Sequence, residues 1–327
     1  MSTMDIQYAI KHSITERLIR LLCMAVCLFP VQSVFAGDDS GFDFLRSEIG
    51  ARPAAMAGTA AASIADLNGL SGNPASLAGL HERIAAFTYV RHVFDFQAGS
   101  AGYSQPLTST GRIGIGIHYM NYGEFKWRDI LGQETGSSVP SDWVLSAAFA
   151  DSLSRRFRYG LAVKYIRSTI AEYESDAVAF SLGAIVTIPS QNLHIGMGVF
   201  NAGRCLHPFL DVRERLPLSY RVGFSKQLAH LPLLLQFDLI HFQVPGGASF
   251  GNLYWALGGE FTLSEHVFMR WGYQSRGREQ QDDLGNNRYA GISFGIGMHS
   301  RAFSLDAGIN QFGMLGTVSQ FSITKSF

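Results

Sequence analysis

The 327-residue sequence has little cysteine, little charge and, beyond its first 36 positions, no long apolar run. Its three cysteines are Cys23, Cys27 and Cys205. The first two fall in a leader-like segment, which leaves one thiol in the rest of the chain. A lone thiol makes no internal disulfide and no metal site by itself, so Cys205 is read as a packed or loop residue without a role. Charged residues make up 16%, with 26 basic and 26 acidic side chains. A net charge of zero leaves no basic excess to neutralise a phosphate backbone, and no nucleic-acid partner is expected. Beyond Gly37 no stretch of about eighteen apolar residues occurs, which excludes a helical membrane protein. Neither a G-x-x-x-x-G-K-[ST] loop nor an H-E-x-x-H pair is present. The ten histidines are scattered, mostly near turn signals. His118 and His194 fall on the small-residue face of their segments and are read as lumen-facing, not as ligands or bases. No catalytic residue, cofactor or metal is expected.

What the sequence does have is glycine, 35 residues or about 11%, against roughly 7% in ordinary proteins. It is sown through apolar segments, where it breaks helices and leaves room on a crowded concave wall. The first 36 residues carry Lys11, Arg17 and Arg20, the apolar run Leu21–Phe29, Pro30, and Val34-Phe35-Ala36 before Gly37. That is the pattern of a cleavable export signal over 1–36. Residues 37–81 form an Ala-, Gly- and Ser-rich segment, with one short helix expected near Ala54 to Ala65. Residues 82–327 are a succession of alternating segments.

The alternation is strict. Ile113, Ile115, Ile117 and Tyr119 alternate with Gly114, Gly116 and His118, and Leu218, Tyr220, Val222 and Phe224 with Ser219, Arg221, Gly223 and Ser225. Side chains on a strand point to opposite faces with period two, so each segment has one bulky apolar face and one tiny or polar face. A soluble sandwich alternates too. The segments here, however, run about ten to twelve residues, which suits a tilted membrane-spanning strand. Their number is about fourteen, an even count usual for bacterial barrels. The boundaries read as 83–92, 95–105, 111–126, 142–150, 156–168, 176–188, 192–202, 217–228, 232–242, 252–262, 266–276, 287–298, 301–311 and 316–327. Phe87, Tyr89, Tyr119, Tyr122, Trp127, Trp143, Tyr165, Trp271 and Tyr273 gather near segment ends, where interfacial girdles belong. A terminal Phe327 after alternating apolar residues fits an insertion signal. The expected fold is therefore all-β: a transmembrane antiparallel barrel of about 14 strands in an outer membrane.

Three sets of residues carry a resemblance. The first is Phe42-Asp43-Phe44-Leu45-Arg46 with Gly50-Ala51-Arg52-Pro53-Ala54-Ala55-Met56-Ala57-Gly58; the second is Asn73-Pro74-Ala75-Ser76-Leu77. The third comprises Ile117–Phe125, Leu216-Pro217-Leu218, Gly258-Gly259-Glu260-Phe261 and Arg270-Trp271-Gly272-Tyr273. Together they resemble the PorV/PorQ family, PorQ branch, relatives of the FadL fatty-acid channels. The chain departs from that pattern at Pro53 and Ala57, where an Ala and a second Gly are more usual. The resemblance implies a small hatch over 37–81 that meets a FadL-like barrel at Asn73, Pro74 and Ala75. It also implies a non-catalytic component of the type IX secretion system. Such a barrel docks the partners of a surface attachment complex, a sortase-like protease and its associated subunits, with outer-membrane lipid around it. The alternatives are a FadL-like channel for hydrophobic small molecules and a soluble periplasmic β-protein. The channel reading gains less from the sequence, because lumen positions are dominated by glycine and polar residues.

Lys164, Arg221, Asp238, Glu260, Arg270 and Asp306 stand opposite the bulky residues of their segments. A basic group facing lipid at mid-depth costs about 2–4 kcal/mol, so these charges belong in the lumen. Two readings stay open for them: an ion-paired network holding the hatch, or plain solvation in a wet lumen.

Overall fold

The computed structural model describes residues 42–47, 49–210, 213–243, 253–280, 289–313 and 316–327. The export signal expected over 1–36 lies outside the described residues. So do Cys23 and Cys27.

Sixteen strands are present among the described residues. They are β1 (Ile84–Arg91), β2 (Gln97–Pro106), β3 (Arg112–Asn121), β4 (Phe125–Arg128), β5 (Glu134–Ser138), β6 (Ser141–Ser154), β7 (Phe157–Ile170) and β8 (Tyr173–Ile188). There follow β9 (Leu193–His207), β10 (Ser219–Gln227), β11 (Leu233–Phe242), β12 (Leu253–Thr262), β13 (Val267–Gln274), β14 (Ile292–His299), β15 (Phe303–Gln311) and β16 (Thr317–Ser326). Fourteen of them close into an antiparallel barrel in chain order, and β4 with β5 forms a separate hairpin. The seam pairs β1 with β16, from Ile84 opposite Ser326 to Arg91 opposite Ser319. Closure leaves the fourteen-stranded sheet without an edge, which is the condition for a β-structure to stand in hydrocarbon. No helix among the described residues is long and apolar enough to cross a membrane.

The period-two pattern sorts the side chains as the sequence implies. Phe87, Ile115, Leu145, Leu161, Phe180, Phe224, Phe294, Leu305 and Phe321 are large, apolar and exposed on the outer face. A belt of that extent, continued around the barrel, is suited to lipid. Tyr119 and Trp143 meet at 4.3 Å between ring centroids on neighbouring strands. Tyr122 does not join that outer girdle. It follows β3, hydrogen-bonds to Asp142 and lines an interior cavity.

Three expectations need correction. The segment read as one strand over 111–126 ends at Asn121, because Gly123 turns the chain at φ 78°. Phe125–Arg128 then pairs with Glu134–Ser138, so the connection over 127–141 is itself partly a hairpin. The helix expected near 54–65 is instead α1 (Ala51–Ala55). Ala57 at φ 57° and Gly58 at φ 79° end it in left-handed conformations, and Gly58 N–H closes back on the Pro53 carbonyl at 2.8 Å. β6 to β9 also run further than expected, to 14, 14, 16 and 15 residues. Their ladders continue through polar residues, where apolar alternation no longer marks a strand.

Residues 49–80 lie inside the barrel as a hatch of short turns. A methyl group on Gly160 would meet the Pro74 carbonyl carbon at 2.5 Å; on Gly258, the Met56 carbonyl oxygen at 2.7 Å; on Gly308, the Ala51 carbonyl oxygen at 2.5 Å. The glycines of β7, β12 and β15 are thus where hatch backbone comes to rest on wall backbone.

Candidate functional site: the hatch and the cavities on either side

A chain of irregular turns inside a barrel has backbone groups that no ladder satisfies, and at membrane depth each must find a protein partner. The inward polar residues supply them. Gln320 accepts from Gly50 N–H at 3.1 Å, and the Ser322 hydroxyl from Ala51 N–H at 2.9 Å. Asn310 and Ser293 donate to the carbonyls of Ala54 and Ala55 at 2.7 and 3.0 Å. One oxygen of Asp238 accepts from both Ala60 and Ala61 N–H, at 2.8 and 2.9 Å.

Asn73, Pro74 and Ala75 begin the next turn. The Asn73 side chain accepts from Ala75 N–H at 3.0 Å, as an N-cap does, and Pro74 takes the first position, where no N–H is needed. Its amide donates to the Ala61 carbonyl at 2.7 Å and more weakly to that of Ala184 on β8 at 3.4 Å. The junction to β1 is held by Arg112, whose guanidinium donates to the carbonyls of Leu80 and Glu82 at 3.0 and 2.5 Å.

All six expected lumen charges point inward and are buried. They do not form one network. Glu260, Arg270 and Asp306 do join: Arg270 Nε to Glu260 at 2.6 Å, and Arg270 Nη1 to Asp306 at 2.6 Å. Two residues that the sequence reading left out complete this group. Arg52 of α1 grips both oxygens of Glu260, and His299 Nε2 lies 3.1 Å from Asp306. The attraction of Glu260 raises the pKa of Arg52 further above its ordinary value, so it is a fixed cation. Asp238 serves the hatch backbone instead. Lys164 bonds to Asn201 at 3.0 Å and the Ser71 carbonyl at 3.3 Å, and Arg221 lies over the Phe200 ring at 5.5 Å.

A cavity lies on each side of the hatch. One, of about 260 Å³, opens toward the end carrying most of the long loops, with Val90, Ala98, Met120, Ile240, Phe242 and Val318 among its walls. The other, of about 360 Å³, lies toward the short-turn end beside Arg52, Glu260, His299 and Asp306. The first has a mixed lining, in which these apolar side chains stand beside Arg46, Arg221, Arg276, His92 and Asn310, so the lumen is less uniformly polar than expected. Inward residues at the long-loop ends of the strands are apolar, and Phe42 and Phe44 pack there with Val90, Met120 and Ile166. Cys205 is buried in the same cluster. His118 stacks on Phe44 at 6.4 Å, and His194 lies 3.0 Å from the Thr187 hydroxyl.

Gly291-Ile292-Ser293-Phe294-Gly295 spells G-x-S-x-G, but Ile292 onward is strand β14 and the Ser293 hydroxyl is engaged by Ala55. A nucleophile elbow needs a strand-to-helix turn, which is not there. The similar run Gly247–Gly251 lies outside the described residues. Among the described residues no three His, Cys, Asp or Glu side chains converge as a metal site requires.

No family model matches the chain, and no curated protein matches it in sequence. Solved structures do match in fold. The toluene transporter TbuX of Ralstonia pickettii superposes with a TM-score of 0.57 at 14% identity, covering 86% of this chain and 98% of that one. The toluene transporter TodX of Pseudomonas putida gives 0.59 at 12% identity, covering 90% and 100%. A FadL homologue of Pseudomonas aeruginosa gives 0.53 at 14% identity, covering 85% and 98%. The fold is thus a FadL-like closed barrel of fourteen strands.

Proposed function

We propose that this protein is an outer-membrane channel for hydrophobic small molecules. The cavity of about 260 Å³ on the long-loop side of the hatch carries the reading. A benzene ring fits a cavity of roughly 150 Å³, so this one has the volume for a monocyclic solute against Val90, Met120, Ile240 and Val318, with Arg46, Arg221 and Arg276 on its other walls. The fold likeness to proteins described as toluene transporters supports the same class of solute. In this reading the long loops face outward, the short turns face the periplasm, and residues 1–36 are the export signal. The test is uptake. A deletant should take up toluene from dilute medium more slowly than its parent, and the purified barrel should quench or shift a bound monocyclic probe. Equal uptake in both strains would remove the channel.

A second reading is the docking barrel of the type IX secretion system, with a sortase-like protease and associated subunits as partners. Two observations favour it: the Gly50–Gly58 and Asn73-Pro74-Ala75 words, and the β4–β5 hairpin, whose Ile130 and Leu131 are fully and 77% exposed. Co-purification of such partners in mild detergent, with cargo left unprocessed in the deletant, is the result that would favour it over transport. Neither reading asks for catalysis.

A further inference from the structure

The hatch does not meet the wall evenly. On β7, β12, β13 and β15 its own backbone rests on glycine, within 2.5–2.7 Å of where a methyl would stand on Gly160, Gly258, Gly272 and Gly308. On β2 and β3 the approach is by a side chain only. Methyls on Gly102, Gly114 and Gly116 would meet Leu70 at 3.2, 3.0 and 3.1 Å, and no hatch backbone comes near. One side is backbone on backbone, and the other is closed by the side chains of Leu67, Leu70 and Leu77.

A smaller cavity, of about 40 Å³, lies on that second side, against β1, β2 and β3. Ile49 and His118 line both it and the cavity toward the long-loop end. Leu67, Asn68, Ala86 and Thr88 line both it and the cavity toward the short-turn end. The three spaces therefore follow one another along a single wall, each sharing residues with the next. The middle one holds a few waters at most, since one water needs roughly 10–15 Å³ on this measure.

We infer that solute crosses beside a stationary hatch, along the β1–β3 wall, through a waist opened by side-chain rotation of Leu70 and Ile49. This rests on the channel reading and deepens it, because a route of that form selects compact solutes. Rotamer changes are fast and local, whereas moving the hatch would break its buried hydrogen bonds to Gln320, Asn310 and Asp238 together. A long acyl chain would have to hold the waist open along its whole length. A single ring needs it open once.

The experiment uses the full-length barrel in proteoliposomes, in a Cys205→Ser background, with toluene as probe. In one variant, Ala55→Cys with Gly308→Cys ties the hatch to β15; a methyl on Gly308 would stand 3.3 Å from the Ala55 Cβ, close to disulfide range, and 2.5 Å from the Ala51 carbonyl oxygen, so the reduced form, which carries that crowding without the tether, is the reference. In the other, Ser100→Cys places a thiol in the waist, to be capped after folding with a bulky uncharged methanethiosulfonate. The oxidised tether should leave toluene flux within twofold of the reduced form. The cap should cut flux at least tenfold, and reduction should restore it. Leu70→Ala should raise flux of two-ring solutes severalfold. Loss of flux on tethering, unchanged flux after capping, or a Ser100→Cys thiol closed to the reagent would each overturn the route. A parent barrel that passes no toluene would instead overturn the channel reading itself, and the route with it.

Discussion

Arg52 of the hatch and Glu260 of β12 form a forked ion pair, Nε to Oε2 at 2.8 Å and Nη2 to Oε1 at 3.0 Å. Glu260 Oε2 accepts at the same time from Arg270 Nε, so one carboxylate holds two guanidiniums, one on the hatch and one on the wall. Glu260→Gln keeps the shape and removes the charge both depend on. Breaking a buried pair by deleting one partner costs about 3–5 kcal/mol. Arg52 retains Asp66 at 3.3 Å and Arg270 retains Asp306, so the low end of that range is expected. The loss should appear as chymotryptic cleavage after Met56, Leu67 or Leu70 of the folded barrel, with strand content unchanged by circular dichroism. An intact hatch in the variant would mean the pair is dispensable.

The same cluster depends on an absent side chain. Gly297 pairs with Asp306 across β14 and β15, and a methyl there would stand 2.6–2.7 Å from the Arg270 Nη atoms. Arg270 is fully buried and has nowhere to withdraw. Gly297→Ala should cost about 1–3 kcal/mol, the usual range for overpacking. Gly99→Ala is the control, because its nearest neighbour is the Thr88 carbonyl oxygen at 3.7 Å. Urea unfolding of both in lipid vesicles checks the contrast. Equal midpoints would show that the cluster tolerates the methyl.

The faces of the barrel strands were legible in the sequence and the contacts of the hatch were not, for one physical reason. A strand in a closed wall repeats one requirement, bulky outside and small inside, so Ile113–Tyr119 and Tyr220–Phe224 announce their faces without help from neighbours. The hatch repeats nothing. Arg52 looks like any helix-surface arginine until β12 brings Glu260 to it, 208 positions away. The cavity's apolar walls were missed differently. Met120 and Ile240 share the inward faces read for His118 and Asp238, while the strands of Val90, Ala98 and Val318 had no face assigned. Taken strand by strand, however, lumen composition averages polar and apolar ends together. Comparing the long-loop end of every strand with its short-turn end is the signal that would have found it. Tyr122 was misplaced because a residue just past a strand end no longer obeys the strand's alternation.

Asp238 offers a graded test of how wall side chains satisfy hatch backbone. Its Oδ2 takes both Ala60 and Ala61 N–H. Asp238→Ala leaves two buried donors unpaired, at about 1–3 kcal/mol each. Asp238→Asn offers a neutral amide oxygen to the same donors and should cost less than half as much. The order of the two variants, read from hydrogen exchange at Ala60 and Ala61, is the outcome that matters. If both exchange alike, the carboxylate is not what protects them.

Asn73 closes the argument because it acts as donor and acceptor at once. Asn73→Ala loses the cap on Ala75 N–H and the donation to the Ala61 carbonyl, a cost of about 1–2 kcal/mol for the cap alone. Asn73→Asp keeps the cap but turns an ionised oxygen toward the Ala61 carbonyl at hydrogen-bond distance, so at neutral pH it should be the worse of the two. Protonation reverses that, since a neutral carboxyl donates to Ala61 and still accepts from Ala75. The introduced group therefore has a folded-state pKa raised above the unfolded value of about 3.9. A raised carboxyl pKa means stability relative to the Ala variant is fullest below pH of about 4 and is lost as pH rises through the folded pKa. Melting both variants across pH 4 to 8 should show their curves crossing; parallel curves would mean that the Asn73 amide makes no donation that matters.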